Sequence, residues 1–303
     1  MPDTSTALIA IDWGTSSLRG ARLNAQGQVL EEISLARGIL TVPLGGFDAV
    51  FDALFDGWLQ HAGAVTCLIS GMAGSRQGWV EAPYCACPAG FAEVARHLVW
   101  VRPGQIAIVP GLNCFHAQPG LPTVPDVMRG EEVQIFGAMQ LTGVRNGLFV
   151  LPGTHSKWAQ VADGQVLGFQ TCMTGEFFAL LSQHSILGRT LQADAAWDAA
   201  AFERGVLHAQ SASSLLHSAF SARTLALFEQ LNAAQLNSYL SGLVIGEEIR
   251  AQRPAGETAP LVLVGSTGLT ARYTHALDLL GIPSRSLGAE ATWAGLHALA
   301  QVL

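Results

Sequence analysis

The stretch Leu8 to Arg19, LIAIDWGTSSLR, sets one carboxylate and a small, hydroxyl-rich turn directly behind a run of apolar residues. An apolar run bounded by turn residues reads as a buried strand, which collects Asp12, Gly14, Thr15, Ser16 and Ser17 at its mouth. Such a mouth suits a phosphate or a hydrated metal. Gly14 lets backbone approach a ligand, the hydroxyls and amides after it donate hydrogen bonds, and Asp12 can hold a divalent cation through water. Alone, the stretch reads equally as a hairpin with a polar turn. Two later junctions have the same character: Gly153 to Lys157 after LFVL, and Gly265-Ser266-Thr267-Gly268 after LVLV. The last opens a helix, whose free amides and positive dipole end seat phosphate or ribose groups. Phosphoryl transfer needs such positioning turns, Mg²⁺ to neutralise charge and a base for the attacking hydroxyl. Carboxylates available as base are Asp12 and the pair Glu131-Glu132.

The elements that must carry these turns alternate between strand and helix, as in an α/β domain. Strands are predicted at Ser17–Leu23 and Gln28–Ser34 around a turn at Gly27, then a helix over Phe47–Leu59 from apolar residues at helical spacing. A strand at Val65–Ile69, a helix at Ala89–Leu98, a strand at Ile106–Val109 and a helix at Glu131–Leu141 follow. From Gly147 the opening pattern recurs: strands at Leu148–Leu151, Lys157–Val161 and Gln165–Gln170. Gly14 and Gly153 stand 139 residues apart and the hairpin glycines Gly27 and Gly164 stand 137 apart, the mark of a duplicated unit. Two lobes are expected, 1–145 and 146–303, each offering a turn to a shared cleft that clamps a nucleotide. The second lobe carries a helical insertion at about 174–221, helical sequence over Leu225–Leu231 and Ser238–Arg250, a strand at Leu261–Val264, a helix at Leu269–Leu280, an edge strand at Arg285–Leu287 and a last helix from Glu290.

Composition limits what such a protein can do. Half of the 303 residues are hydrophobic, only 13% are charged and the net charge is −7. That is a folded chain with a large core, without the basic surface that nucleic acid or an anionic membrane requires. Met1 to Thr6 shows no leader-like basic-then-apolar pattern and no apolar run reaches spanning length, so a cytoplasmic protein is expected. Five scattered cysteines do not form a disulfide framework, and the Cys85–Cys87 pair lacks a second pair at zinc spacing. Small-molecule partners are expected, with self-association left open.

LIAIDWGTSSLR resembles the first phosphate motif of the actin, hexokinase and heat-shock-chaperone superfamily. FVLPGTHSKW resembles the second, LVLVGSTGL the adenosine motif and LSGLVIGEEI the second connecting helix. A narrower resemblance lies in SGMAGSRQGWVEAPY, PDVMRGEEVQIFGA, LPGTHSKW and CMTGEFFALLSQHSILG, which look like signatures of the 2-dehydro-3-deoxygalactonokinase family. The resemblance implies two ribonuclease H-like (actin-like ATPase) lobes, each a mixed sheet flanked by helices, and ATP-dependent phosphorylation of 2-dehydro-3-deoxy-galactonate at its 6-hydroxyl in galactose or galactonate breakdown. It puts Asp12 at the metal-water position, Gly14, Thr15 and Ser16 in the first phosphate loop, Gly153, Thr154 and Ser156 in the second, and Gly265, Ser266 and Gly268 on the adenosine side. Related sugar kinases carry an aspartate as base where this chain has Gly130-Glu131-Glu132; Glu131 is the favoured base, with Glu132 beside it. The acid's carboxylate calls for an arginine fork. Arg76 is the first choice, with Ser75, Gln77 and Trp79 around it, and Arg19 and Arg129 as alternatives. Lys157 reads either as a phosphate contact or as a solvent-facing strand residue. A kinase for another sugar, a polyphosphate-type phosphatase and a non-catalytic nucleotide or sugar sensor are the competing functions.

Overall fold

Two sheets share their strand order over the first four strands, three successive strands followed by a crossover. In a computed structural model describing residues 5–117, 120–253 and 260–303, the first sheet is built from β1 (Leu8–Trp13), β2 (Leu18–Leu23), β3 (Val29–Leu35), β4 (Thr66–Gly71), β6 (Val99–Arg102) and β7 (Ile106–Ile108), ordered β3-β2-β1-β4-β7-β6. β1 runs antiparallel to β2 and parallel to β4, and β4 runs parallel to β7. The second sheet, β10 (Gly147–Leu151), β11 (Ser156–Ala162), β12 (Gln165–Cys172), β13 (Leu261–Val264) and β14 (Ser284–Leu287), has the order β12-β11-β10-β13-β14, with β10 parallel to β13. The order 3-2-1-4 occurs in both, with a further strand beside the fourth, so the repeat seen in the turns extends to the sheets. Its second hairpin turns on Asp163-Gly164, both at positive φ as a two-residue hairpin loop needs.

The chain forms two compact units, one of residues 1–147, 159–169 and 287–303, the other of 148–158 and 170–286. The expected division after 145 lies two residues before the end of the first segment, but two pieces assigned by sequence to the second lobe group with the first unit. The reasons are specific contacts. Ala89 and Val166 exchange backbone hydrogen bonds at 3.1 and 2.9 Å, and the Cys114 thiol donates to the Phe169 carbonyl. The last helix, α10 (Glu290–Ala300), packs on α3 (Glu131–Thr142) with glycines at the crossing.

Within the first unit, α1 (Phe47–Ala62) lays Phe47, Val50, Phe51, Phe55 and Leu59 against Ile9, Ile11 and Trp13 of β1, as its apolar spacing predicts. A third sheet that the sequence pattern does not predict joins β5 (Cys85–Ala86), β8 (Leu112–His116) and β9 (Val124–Met128), with the short α2 (Phe91–Arg96) following β5. In the second unit, α4 (Thr174–Ala179), α5 (Ala199–Ser211), α6 (Leu215–Ser218) and α7 (Ser221–Leu227) make the helical insertion. α7 stops at Leu227, short of the predicted Leu231, because Asn232 starts the next helix. Asn232 and Gln235 form a capping box that opens α8 (Ala233–Gln252), five residues before the predicted start. α9 (Thr267–Leu279) and β14 complete this unit, whose core gathers Val150, Trp158, Phe202, Ile245, Leu263 and Tyr273. No helix among the described residues is long and apolar enough to cross a membrane. Met1–Thr4, part of the stretch read for a leader, lie outside the described residues.

Candidate active site

Asp12 is the penultimate residue of β1, with Arg19 opposite on β2. The register delivers the ion pair: Arg19 Nη2 donates to Asp12 Oδ2 at 2.5 Å, while the Arg19 guanidinium also lies 5.7 Å from the centre of the Trp293 ring. Arg19 is thereby paired with Asp12 and holds one oxygen of its carboxylate. Beyond β1, the Gly14 amide donates back to the Ser17 carbonyl, and the carbonyls of Gly14 and Thr15 accept from Ile39 and Leu40. Gly38 sits so tightly on this turn that a side chain there would collide with Thr15 and Ser16. The turn is therefore held by its carbonyls, and Thr15 and Ser16 remain exposed at its rim.

Two left-handed glycines bring the candidate bases to this mouth. Gly71 ends β4 at φ +87 and Gly130 precedes α3 at φ +103. A Cβ on Gly71 would stand 3.1 Å from Asp12 Oδ1, and one on Gly130 would stand 3.3 Å from the Gly71 Cα. Side chains are excluded at both positions by conformation and by space. The start of α3 is thus stacked beside the end of β4 and the free face of Asp12.

The adjacent glutamates have different surroundings. Glu131 is half-buried, its Oε2 accepting from the Arg129 amide at 2.9 Å. Glu132 is wholly buried, both carboxyl oxygens near the Gly130 amide at 3.0 and 2.7 Å. Burial, and secondarily the charge of Glu131, push the Glu132 carboxyl up to about 8. Glu132 is thus turned onto the loop at Gly130, while Glu131 keeps part of its surface exposed.

The shift also predicts a stability profile. Between its unfolded value near 4.5 and its folded value of about 8, Glu132 holds more proton in the native state, so its contribution to stability is full below 4.5 and is lost as pH rises through about 8. Glu132→Gln should flatten the fall in melting temperature measured between pH 5 and 9; a mutant whose profile runs parallel to that of the parent would show that the carboxyl is ionised when folded.

In the second unit, the turn between β10 and β11 is braced by α4. Gly175 lies so close that a Cβ would stand 2.6 Å from the Gly153 carbonyl oxygen, and the Glu176 amide donates to the Thr154 carbonyl at 3.1 Å. His155 pairs with Glu176 at 2.5 Å. A Cβ on Gly153 would meet nothing nearer than the His155 backbone at 3.9 Å, and Thr154 is exposed. Ser156 differs from the expectation for a phosphate ligand: it is fully buried and its hydroxyl donates to Glu248 of α8 at 2.7 Å. Lys157 is also buried, its ammonium donating to Thr171 Oγ1 at 2.8 Å, which is not the solvent-facing setting of a strand residue.

Gly153 and Thr154 open into a cavity of about 250 Å³ lined also by Ser241 and Ile245 of α8 and Leu269, Arg272 and Tyr273 of α9. Gly265 packs near Pro152 of the turn, and Gly268 faces open space. Ser266 caps α9 without a side-chain hydrogen bond. None of Gly265, Ser266 and Gly268, expected on the adenosine side, lines this cavity; Arg272 and Tyr273 of α9, which do, are not singled out by the sequence. Their signal was present only as the helical spacing after GSTG.

The candidate substrate residues separate. Arg76, Gln77 and Trp79 line one cavity of about 790 Å³ together with Phe47 and Asp48. The Arg76 side chain is 87% exposed and its Nε donates to Glu81 at 3.0 Å. Trp79 is anchored in the aromatic core beside Trp13, Phe47 and Phe51, with its indole N–H on Asp48 at 3.3 Å. Ser75 is not among the lining residues; its hydroxyl is buried. Arg129 lies under the Tyr84 ring at 4.5 Å and donates to the Ala82 carbonyl, which pins the strand end leading to Gly130.

Paired sheets of this order, each presenting a glycine-hydroxyl turn behind its first strand, define the ribonuclease H-like, actin-like ATPase fold. The sequence profile of the family described as 2-keto-3-deoxy-galactonokinase matches residues 12–299. A Rhizobium meliloti (strain 1021) protein assigned as a 2-dehydro-3-deoxygalactonokinase is 39% identical over 97% of this chain and 96% of its own. The 2-dehydro-3-deoxygalactonokinase of Escherichia coli (strain K12) is 33% identical over 97% and 98% of the two chains. A crystal structure from Sinorhizobium meliloti, described under the same activity, superposes with a TM-score of 0.87 at 38% identity, covering 97% of this chain and 98% of that one. The chain belongs to the 2-keto-3-deoxy-galactonokinase family of carbohydrate kinases.

Proposed function

We propose that this chain transfers the γ-phosphoryl group of ATP to the 6-hydroxyl of 2-dehydro-3-deoxy-D-galactonate. The observation that supports the reading is the apposition of Asp12, Gly71 and Gly130, which brings the backbone that leads into α3, one residue before Glu131, beside the end of β4 and Asp12. Glu131 takes the proton of the attacking hydroxyl. Nucleotide binding falls to the turn at Gly153 and Thr154 and to the cavity continuing to Arg272, whose guanidinium suits an anionic nucleotide.

Mg²⁺ fits this donor set. Asp12 Oδ2 is engaged by Arg19, and Oδ1 faces the side of Gly71 that carries no side chain. Among the described residues no group of three or more histidine, cysteine, aspartate or glutamate side chains forms a metal cage. A single carboxylate acting through water, with phosphate oxygens supplying the rest, is how Mg²⁺ is held in phosphoryl-transfer sites. When bound, it would neutralise charge on the transferred phosphoryl group.

For the sugar acid, Arg76 is the proposed carboxylate contact, exchanging its surface pairing with Glu81 for the ligand. A coupled ADP-release assay over a panel of sugar acids and neutral sugars tests the reading, with turnover on the named acid expected and its absence from folded protein decisive against it. Arg76→Ala should raise KM for the acid about tenfold, the scale of one lost charge-assisted contact, and leave KM for ATP unchanged. Its melting temperature should not move, because an exposed ion pair contributes little. A change confined to ATP would remove Arg76 from the acid site.

A further inference from the structure

Glu248 is a buried carboxylate that accepts from three donors on two other elements. Its Oε1 accepts from the Ser156 hydroxyl at 2.7 Å and from the Trp158 indole N–H at 2.6 Å, and its Oε2 from the Tyr273 hydroxyl at 2.6 Å. All four residues are at most 4% exposed. Ser156 and Trp158 begin β11 immediately behind the Gly153–Thr154 turn, Tyr273 lies on α9, and Glu248 itself is on α8. α9, which lines the 250 Å³ cavity through Arg272 and Tyr273, and β11, which follows the turn at Gly153 and Thr154, are thus tied to one carboxylate; Glu248 itself does not line that cavity.

No cation faces Glu248 among these contacts; neutral donors alone satisfy it. Leaving such donors unmatched in a buried site is costly, so a carboxylate with three of them fixes distances that packing alone would leave adjustable. A hydrophobic residue of similar size would fill the volume equally well. It would not specify how far Tyr273 stands from the strand that follows the turn.

We propose that Glu248 is a positioning residue for nucleotide binding, setting the separation between the second phosphate turn and the α9 wall through Ser156 and Tyr273. The inference rests on the reading of this cavity as the nucleotide site. Its chemistry separates two substitutions at Glu248. In Glu248→Gln the amide oxygen can keep Ser156 and Trp158 while its NH₂ donates to the Tyr273 oxygen, so every link survives with one reversed. Glu248→Ala leaves all three donors without a partner.

The test titrates the full-length protein with MgATP by calorimetry and measures KM for ATP and for the sugar acid separately. Glu248→Ala should weaken ATP binding about tenfold or more, Glu248→Gln should stay within about threefold of the parent, and KM for the acid should stay within about twofold in both. Tyr273→Phe, which keeps the ring and removes one link, should weaken ATP binding by about threefold or more and decides the matter if Glu248→Ala does not fold. Unchanged ATP binding in Tyr273→Phe, or equal rises in both Michaelis constants, would overturn the proposal. Failure of the parent protein to bind MgATP would instead remove the reading of the cavity on which it rests.

Discussion

Glu131→Gln should lower kcat by about two to four orders of magnitude while leaving the melting temperature and ATP affinity close to those of the parent. The expectation follows from the contrast between adjacent carboxyls. Glu132 has the perturbed acidity, raised to about 8, but it is buried and turned onto the Gly130 amide, so its abnormal value reports desolvation. Glu131 is half-buried, and one oxygen is held by the Arg129 amide. Glutamine preserves size and that hydrogen bond and removes only the capacity to accept a proton. Single-turnover assays with saturating acid and MgATP would isolate the chemical step. An undiminished rate would transfer the role to Asp12, since Glu132 is turned onto the loop at Gly130. Glu132→Gln, by contrast, should retain most of the turnover, because a neutral amide reproduces what a neutral carboxyl does there.

Much of this centre was legible in the residue order because local rules fix it. An apolar strand ending in Asp-x-Gly-Thr can turn in few ways, and Asp163-Gly164 specifies a two-residue hairpin by its conformational demand. The duplication was visible as near-equal spacing of turn glycines, and the matched order of the first four strands extends it to the sheets. What the sequence hid is long-range. Arg19 sits next to the first phosphate turn in the chain, yet its role depends on the antiparallel register that puts it across from Asp12. Ser156 looks like a loop hydroxyl until Glu248, 92 positions later, takes it. The strands of residues 84–128 are short and lack alternation, so pairing partners alone define them. Grouping of 159–169 and 287–303 with the first unit likewise depends on contacts that no local pattern announces.

The helix that carries Glu131 depends on one of these concealed contacts, which makes Gly137→Ala a severe substitution despite its mildness on paper. By intrinsic preference, alanine in a helix interior is favoured over glycine by up to about 1 kcal/mol. Gly137, however, lies where α3 crosses α10: a Cβ there would run into the Ala291 carbonyl oxygen, while one on Gly295 would run into the Val133 carbonyl. Both obstacles are backbone, and the surrounding Val133, Ile135, Phe136 and Leu296 are fully buried, so neither rotamer change nor local relaxation makes room. Overpacking of this kind costs about 1–3 kcal/mol and exceeds the propensity gain. At about 2–4 °C per kcal/mol for a unit of this size, calorimetry should record a fall of several degrees in melting temperature. Displacement of α3 also moves Glu131 at its first turn, so kcat should fall more than either Michaelis constant rises. A melting temperature equal to or above that of the parent would mean that the helices separate without cost, and that α3 is held at the site by the Gly71–Gly130 apposition alone.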